Sequence, residues 1–423
     1  MHEILTIQCG NTANYIGTHF WNFQEPTSEN QSEINHDVLF SSGQARNGNQ
    51  TYTPRVLLYD TARHFGSMSR MNALFEEPRT ETTDLQVISS ERIPDHPFQT
   101  SLEESVTPDG GLLSVDNVRY WSDYNTQFYR PQSYLPLNAF AETTQLDDFD
   151  AGRGAWKSRT QRSDILDTDL RPFLEECDLL QGINLVSCLI DGWGGWTTEL
   201  VLELASEFPK VPRLLFSTTA ATTRPENLNL SNVLLGIHDE VDALIPFDAT
   251  GSWSGSAHAA TWIDAFTVPF RTKEASLTVS DVTSFLTPGH RIFNPTLTDR
   301  SLGPIAQDRT DRRFSVVRGQ REIELESKLV NGSLVTTYRD VSTTEYPTSF
   351  PDSLRLDNVV ASLEDSSWGC SQYLAQIRKM VGGIKGAKGY SDRKEIVEEL
   401  VELEGRYKTE LMESEASSDE DGF

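Results

Sequence analysis

Two short turns in this chain carry residue types able to meet a phosphate. Gln8-Cys9-Gly10-Asn11-Thr12 closes one apolar run, and Asp191-Gly192-Trp193-Gly194-Gly195 closes another. A glycine after a strand lets backbone N–H groups approach an anion, and the N-terminus of a following helix adds positive potential. Either turn alone is weak evidence, since a glycine after a strand is more often just a tight turn.

The surrounding pattern supplies elements that would position both turns. Ile4 to Gln8 reads as a strand, followed by a helical spacing through Ile16, Phe20 and Trp21. Glu25 to Gln50 reads as a polar loop, Val56 to Tyr59 as a buried strand, and Arg92 to Asn117 as a loop broken by prolines and glycines. Asp164 to Leu180 has helical periodicity, with Pro172 predicting a start or kink. A strand over Ile183 to Ile190, a helix over Thr197 to Phe208, a strand at Leu214 to Phe216, a helix at Leu228 to Leu235 and a strand at Ala243 to Ile245 follow. Alternating strand and helix predicts a doubly wound parallel α/β sheet, with ligands at the strands' carboxyl ends. From about Thr267 the pattern changes to short strands (Phe314 to Val317, Leu334 to Thr337) and loops, which predicts a second, α+β domain. Leu363 to Val381 and Glu395 to Met412 read as helices, separated by a glycine-rich hinge at Gly382 to Gly389. The expected organisation is 1–262, 263–381, a hinge and helix over 382–412, and a disordered acidic tail over 413–423.

Composition narrows the function classes. The chain has 423 residues, 37% of them apolar, and a formal net charge of -27. That charge argues against nucleic acid or anionic lipid as a direct partner. No run of about 18 apolar residues marks a transmembrane helix. Met1-His2-Glu3-Ile4 has no basic region before an apolar run, so neither a secretory signal nor a standard mitochondrial presequence is expected. Cys9, Cys177, Cys188 and Cys370 show no metal-binding or redox spacing. The eight histidines do not cluster in sequence, and structural or surface roles are expected for them. Ser414, Ser417 and Ser418 stand among acidic residues near the C-terminus, and Ser417 and Ser418 are candidate sites for an acidophilic kinase.

Ile7-Gln8-x-Gly10-x-x-x-Asn14-x-Ile16-Gly17-x-x-Phe20-Trp21 resembles the opening strand, phosphate loop and first helix of tubulin. Pro54-Arg55, the strand after it and Asp60 resemble tubulin's second strand and magnesium-side loop. Cys177-Asp178-x-Leu180-Gln181-Gly182 resembles the segment before tubulin's glycine-rich signature, and Gly192-x-Gly194 falls at the signature itself. Within that superfamily, Glu3-Ile4-Leu5-Thr6-x-Gln8, Gly17-Thr18-His19-x-Trp21-Asn22, Thr51-Tyr52-Thr53-Pro54-Arg55, Trp121-Ser122-Asp123 and Glu175-Glu176-Cys177-Asp178 resemble the Misato family, called Dml in fungi. The resemblance implies a tubulin-like fold: a Rossmann-type nucleotide-binding domain, an α+β intermediate domain and C-terminal helices. It implies nucleotide-binding roles for Gly10, Asn11, Thr12, Asp60, Gly192, Gly194 and Gly195, with Asp60 on the metal side and GTP with magnesium as the ligand. It also implies a part in mitochondrial partitioning, morphology and mitochondrial DNA inheritance, at the mitochondrion with a cytoplasmic pool. Tubulin-related proteins, a chaperonin or mitochondrial surface proteins would be the partners.

The departures from tubulin set a further expectation. Asp191 would repel a phosphate unless magnesium intervened, and the indoles of Trp193 and Trp196 are too large to cradle one. The region of tubulin's hydrolytic acidic loop reads Ala275-Ser276-Leu277-Thr278-Val279-Ser280-Asp281, where Asp281 could substitute for the acid, but an isolated Asp before a helix is more often an N-cap. The expected protein is therefore a non-enzymatic scaffold with degenerate nucleotide binding. A filament-forming GTPase, or a cytosolic adaptor in tubulin folding or spindle assembly, are the alternatives.

Overall fold

The computed structural model describes residues 2–24, 33–44, 48, 50–70, 72, 74, 93–104, 109–137, 146–160, 165–274, 276–298, 300–305, 310–320, 322–384 and 393–418. In its first half the chain runs β1 (Glu3–Cys9), α1 (Asn11–Phe23), β2 (Phe40–Gln44), β3 (Gln50–Pro54), β4 (Val56–Asp60), α2 (Pro97–Glu104), β5 (Tyr134–Pro136), α3 (Phe149–Thr160) and a single turn α4 (Arg171–Leu174). Then come β6 (Leu180–Cys188), α5 (Gly192–Glu207), β7 (Arg213–Thr218), α6 (Arg224–Ile237), β8 (Ala243–Phe247) and α7 (Ala257–Phe266). The second half holds α8 (Val279–Ser284), β9 (Asn294–Leu297), β10 (Arg300–Ser301), β11 (Arg312–Val317), β12 (Glu324–Val330), β13 (Ser333–Arg339), β14 (Val360–Asp365), α9 (Ser367–Gly382) and α10 (Arg393–Ser418).

The first sheet has strand order β5-β4-β1-β6-β7-β8, and every adjacent pair is parallel. Setting aside the separate β2–β3 hairpin, that is the doubly wound order 3-2-1-4-5-6, whose direction reverses between β1 and β6. Its strands read as near-continuous apolar runs because both faces are covered. Ile4 faces one core with α1 and α7, whereas Leu5, Ile7 and Cys9 face another with α3, α5, α6, α9 and α10. The second sheet, ordered β10-β9-β14-β11-β13-β12, is mixed and shares the first core through Phe314, Val316 and Leu363. Helix α7 lies between the sheets and runs through residue 262, where the sequence reading places a division.

A buried ionic knot joins these parts. Asp264 on α7 accepts from Arg271 (3.0 Å), Arg318 (2.5 Å) and Gln24 (2.8 Å). Burial works against its charge, but the two guanidiniums prevail and hold the carboxyl below the usual range. At the other end, the Tyr407 hydroxyl of α10 accepts from the backbone N–H groups of Arg291 (3.3 Å) and Ile292 (3.2 Å). That fastens the last helix to the body.

Several local readings need correction. The loop expected over 25–50 contains β2 and, at its end, the start of β3, whose pairing puts Phe40 opposite Pro54. Helix α2 lies within the segment read as loop, starting at Pro97, where proline's fixed φ suits a first helical position. The helix read over 164–180 is a π-helical turn at Leu166–Leu170 and one α-turn, because Leu180 already belongs to β6. The helix read from Leu363 begins only at Ser367, since Val360–Asp365 pairs with both β11 and β9. Helix α10 continues through Ser418, into the stretch expected as disordered tail from 413. Glu413, Glu415 and Ala416 are good helix formers, so propagation from the packed turns costs little. Ser417 and Ser418 thus end a helix, and 419–423 lie outside the described residues, as does most of the expected hinge.

Candidate functional site at the sheet's switch point

The two glycine turns face one another where the strand order reverses. Gly10 caps α1 with φ 96° and ψ 170°, a backbone state that favours glycine, and no side chain caps the helix. Its N–H donates to the Tyr59 carbonyl of β4 at 2.9 Å. Asn11 and Thr12 form the first helical turn and are half-buried. The loop at Gly251 comes close: a Cβ there would lie 2.8 Å from Thr12 Oγ1 and 3.4 Å from Asn11 Nδ2.

The second turn is not a loop. Helix α5 starts at Gly192, five residues before the expected Thr197, so Gly192, Gly194 and Gly195 are its first turn. Asp191 is the N-cap, with its carboxylate accepting from Trp193 N–H at 2.9 Å. Gly192 N–H donates to Leu146 O at 2.8 Å, and Gly194 N–H to Asp191 O at 3.1 Å. Three leading donors of this helix therefore already have protein acceptors.

The glycines make room for close neighbours, most of them backbone. A Cβ on Gly195 would sit 1.9 Å from Phe149 O, and one on Gly152 of α3 would sit 1.7 Å from Gly192 O. A Cβ on Gly192 would meet Leu146 backbone at 2.7 Å, and one on Gly194 would meet Leu189 O at 2.8 Å. Helix α3 thus crosses the start of α5 nearly backbone to backbone. Asn229 of α6 locks the joint: it accepts from Phe149 N–H (3.2 Å) and donates to the carbonyls of Asp147 (3.2 Å) and Ile190 (2.9 Å).

Trp193 occupies the crevice between the turns. A Cβ on Gly10 would be 2.5 Å from the indole Cδ1, so the ring lies flush against that glycine. Trp193 contacts Trp196 edge-on at 6.0 Å between centroids, and Trp196 meets Trp156 at 5.1 Å and Tyr59 at 5.5 Å. Trp193 is 5% exposed and Trp196 fully buried. An apolar aromatic stack stands where the doubly wound architecture would put a ligand.

Asp60 closes β4 with both oxygens engaged. Oδ1 accepts from Thr61 N–H (2.8 Å) and His64 Nδ1 (2.8 Å); Oδ2 accepts from Asn14 Nδ2 (2.9 Å) and Trp121 Nε1 (3.3 Å). Four donors use the lone-pair directions a metal would need. Among the described residues, no group of three or more His, Cys, Asp or Glu side chains could hold a metal ion. The Asp60 hydrogen bond raises the pKa of His64. Burial pushes the Asp191 carboxyl up to about 7, with the charges of Asp60 and Asp147 adding to the effect. Cys9 beneath the turn is buried and pushed up to about 12, which leaves it an inert thiol.

Asp281 is neither the N-cap nor a free acid: Thr278 is the N-cap of α8, and the Asp281 carboxylate completes the capping box by accepting from Thr278 N–H at 2.7 Å. Sequence reasoning missed Asn14, Gly152, Trp121 and Asn229 as organisers of the site. Asn14 and Trp121 stood inside the motifs quoted above, so an unassigned polar residue within a motif was the available signal. The remaining motif residues also serve architecture. Gly17 leaves room for Gln8, since a Cβ there would lie 2.0 Å from the amide. Asn22 donates to Tyr124 O (2.8 Å) and Ser349 Oγ (2.9 Å). Glu176 accepts two bonds from Arg130, which also donates to Thr53.

Residues 2–104 match the model of the Misato segment II tubulin-like domain, and residues 111–272 match that of a tubulin domain. Among curated proteins, Protein DML1 of Phaeosphaeria nodorum is 34% identical over 309 residues, 64% of this chain and 59% of that protein. Protein dml-1 of Neurospora crassa is 30% identical over 311 residues, covering 65% and 57%. Protein DML1 of Coccidioides immitis is 39% identical over 224 residues, covering 50% and 43%. The chain thus spans about 60% of the length of the first of these relatives.

Proposed function

We propose, from the premise that this chain belongs to the tubulin-like Misato/Dml family, that it is a non-enzymatic scaffold whose ancestral nucleotide crevice has become part of its core. The observation that carries this reading is Trp193 lying against Gly10 while the second glycine turn serves as a helix crossing. A diphosphate at this place would have to displace a buried indole, at a cost of roughly 3–5 kcal/mol in lost burial and packing. The aromatic stack and the four donors on Asp60 support a crevice without a hydrolytic site. Its biological setting, by family resemblance, is mitochondrial partitioning and mitochondrial DNA inheritance, through contacts with protein partners.

Two measurements test this. Phosphate release and pelleting of the purified full chain, with and without GTP and magnesium, should show no turnover and no nucleotide-dependent assembly; GTP-dependent pelleting with turnover would make it a filament-forming GTPase instead. Fractionation of cells carrying a tagged chain should place part of it with mitochondria, and a wholly cytosolic distribution would contradict the mitochondrial assignment.

A further inference from the structure

Strand β12 is the outer edge of the second sheet, and among the described residues no strand pairs with its outer side. Six of its seven residues are exposed, and Leu325 and Leu329 are 45% and 74% exposed. Long edge strands that expose apolar side chains are pairing templates. Lys328 near the middle would ordinarily blunt such an edge, so what matters is which partner the whole strand fits.

The hairpin to β13 fixes which backbone groups point outward. Asn331 (φ 49°) and Gly332 (φ 84°) form its two-residue turn, with Val330 opposite Ser333. In such a hairpin the residues closing the turn exchange both hydrogen bonds, and the exchange recurs at every second pair. Lys328, Glu326 and Glu324 therefore bond inward, opposite Val335, Thr337 and Arg339. Leu325, Ser327 and Leu329 direct their N–H and C=O groups away from the sheet.

We infer that β12 is a self-association edge, on which a second copy of this chain docks by antiparallel pairing about a two-fold axis at Ser327. The sequence Glu324-Leu325-Glu326-Ser327-Lys328-Leu329-Val330 is complementary to itself in that register and orientation. Ser327 meets its own counterpart, Leu325 meets Leu329, and Glu326 meets Lys328. The three outward-directed residues are the ones this register pairs by hydrogen bonds, so backbone geometry and side-chain complementarity select the same alignment. Leu325 and Leu329 share the face of the sheet that carries the buried Thr336 and Tyr338, so pairing extends that apolar face across the axis. On the other face the Glu326–Lys328 pairs occupy the non-hydrogen-bonded positions, where side chains approach most closely. An isologous contact of this kind closes after two copies and joins two six-stranded sheets into one. The strand lies outside the segments that match known family models, and the inference is independent of nucleotide binding.

Sedimentation equilibrium of the full chain across a concentration series tests it. A reversible monomer–dimer equilibrium is expected, with a Kd on the order of 10 μM given the small contact. Ser327→Pro removes an outward N–H without touching the internal ladder, which edge strands tolerate. It should weaken the dimer roughly tenfold or more, with the monomer's melting transition retained. Lys328→Glu should weaken it too, and the double variant Glu326→Lys with Lys328→Glu should restore it. A chain that stays monomeric to about 100 μM would overturn the inference, being far above the affinity expected of such a contact. So would a dimer indifferent to Ser327→Pro, or one that the double charge exchange fails to rescue.

Discussion

The turns at Gly10 and Gly192 end adjacent parallel strands and face the same crevice, yet their glycines do different work. Gly10 needs its glycine for conformation, at φ 96°, and for the indole beside it. The glycines at 192, 194 and 195 lie inside a regular helix, and their missing side chains make room for neighbouring backbone. One turn holds a glycine corner in the left-handed region. The other turned the same residue type into a helix–helix joint and sent Trp193 across to fill the corner. A glycine count alone does not separate these uses; what each absent Cβ would have touched does.

The difference can be broken by mutation, most severely at the filler itself. Trp193→Ala should cost roughly 3–5 kcal/mol, read from the urea midpoint, because a buried indole is lost. Gly195→Ala should cost about 3 kcal/mol by the same measurement, since its Cβ would have to push the Phe149 backbone away from α5. Gly10→Ala should cost about 2 kcal/mol, part from the positive φ and part from the Trp193 ring. The ring's share should vanish when Gly10→Ala is combined with Trp193→Ala, whereas Gly195→Ala should show no such relief. A double-mutant cycle with no coupling between positions 10 and 193 would contradict the contact.

Acid–base behaviour sharpens the same comparison. Asp191 has its pKa raised to about 7 from 3.8, so the folded state holds the extra proton across that interval. Its contribution to stability is therefore full below pH 4 and is lost as the pH rises through 7. His19, buried on α1 and donating to Trp253 O at 2.7 Å, is lowered to about 4 by burial and acts oppositely. Its contribution is full above about 6.5 and is lost as the pH falls towards 4. The two slopes oppose one another between pH 4 and 6.5. Asp191→Asn keeps the cap but removes one slope, so stability should then rise with pH through that interval, by up to a few kcal/mol relative to the parent. Chemical denaturation at stepped pH reads this directly. The smallest effects belong to Asn11→Ala and Thr12→Ala, which should stay within about 0.5 kcal/mol. Losses of several kcal/mol there would show that the Gly10 corner depends on these side chains.

The parallel sheet and its crevice were legible because buried strands followed by glycine and a helical period leave an unambiguous trace. The use of the second turn was not. Gly192-Trp193-Gly194-Gly195 has low helix propensity, and the acceptor at Leu146 and the backbone at Phe149 that favour a helix there are distant in sequence. Tertiary contacts overrode local preference. Of the β12–β13 hairpin the sequence reading has only the strand at Leu334 to Thr337: Asn331-Gly332 is a strong turn signal, but the strand before it is exposed along most of its length. Asp281 was recognised as helix-associated, yet its place in the capping box depended on noticing Thr278 three residues earlier.

Equilibrium dialysis of the purified full chain against GTP and magnesium tests the occupied crevice most directly. With Trp193 seated against Gly10, no saturable binding is expected below about 1 mM. Stoichiometric binding with a Kd near 1 μM or tighter would mean that the indole yields to a nucleotide, and would contradict the account.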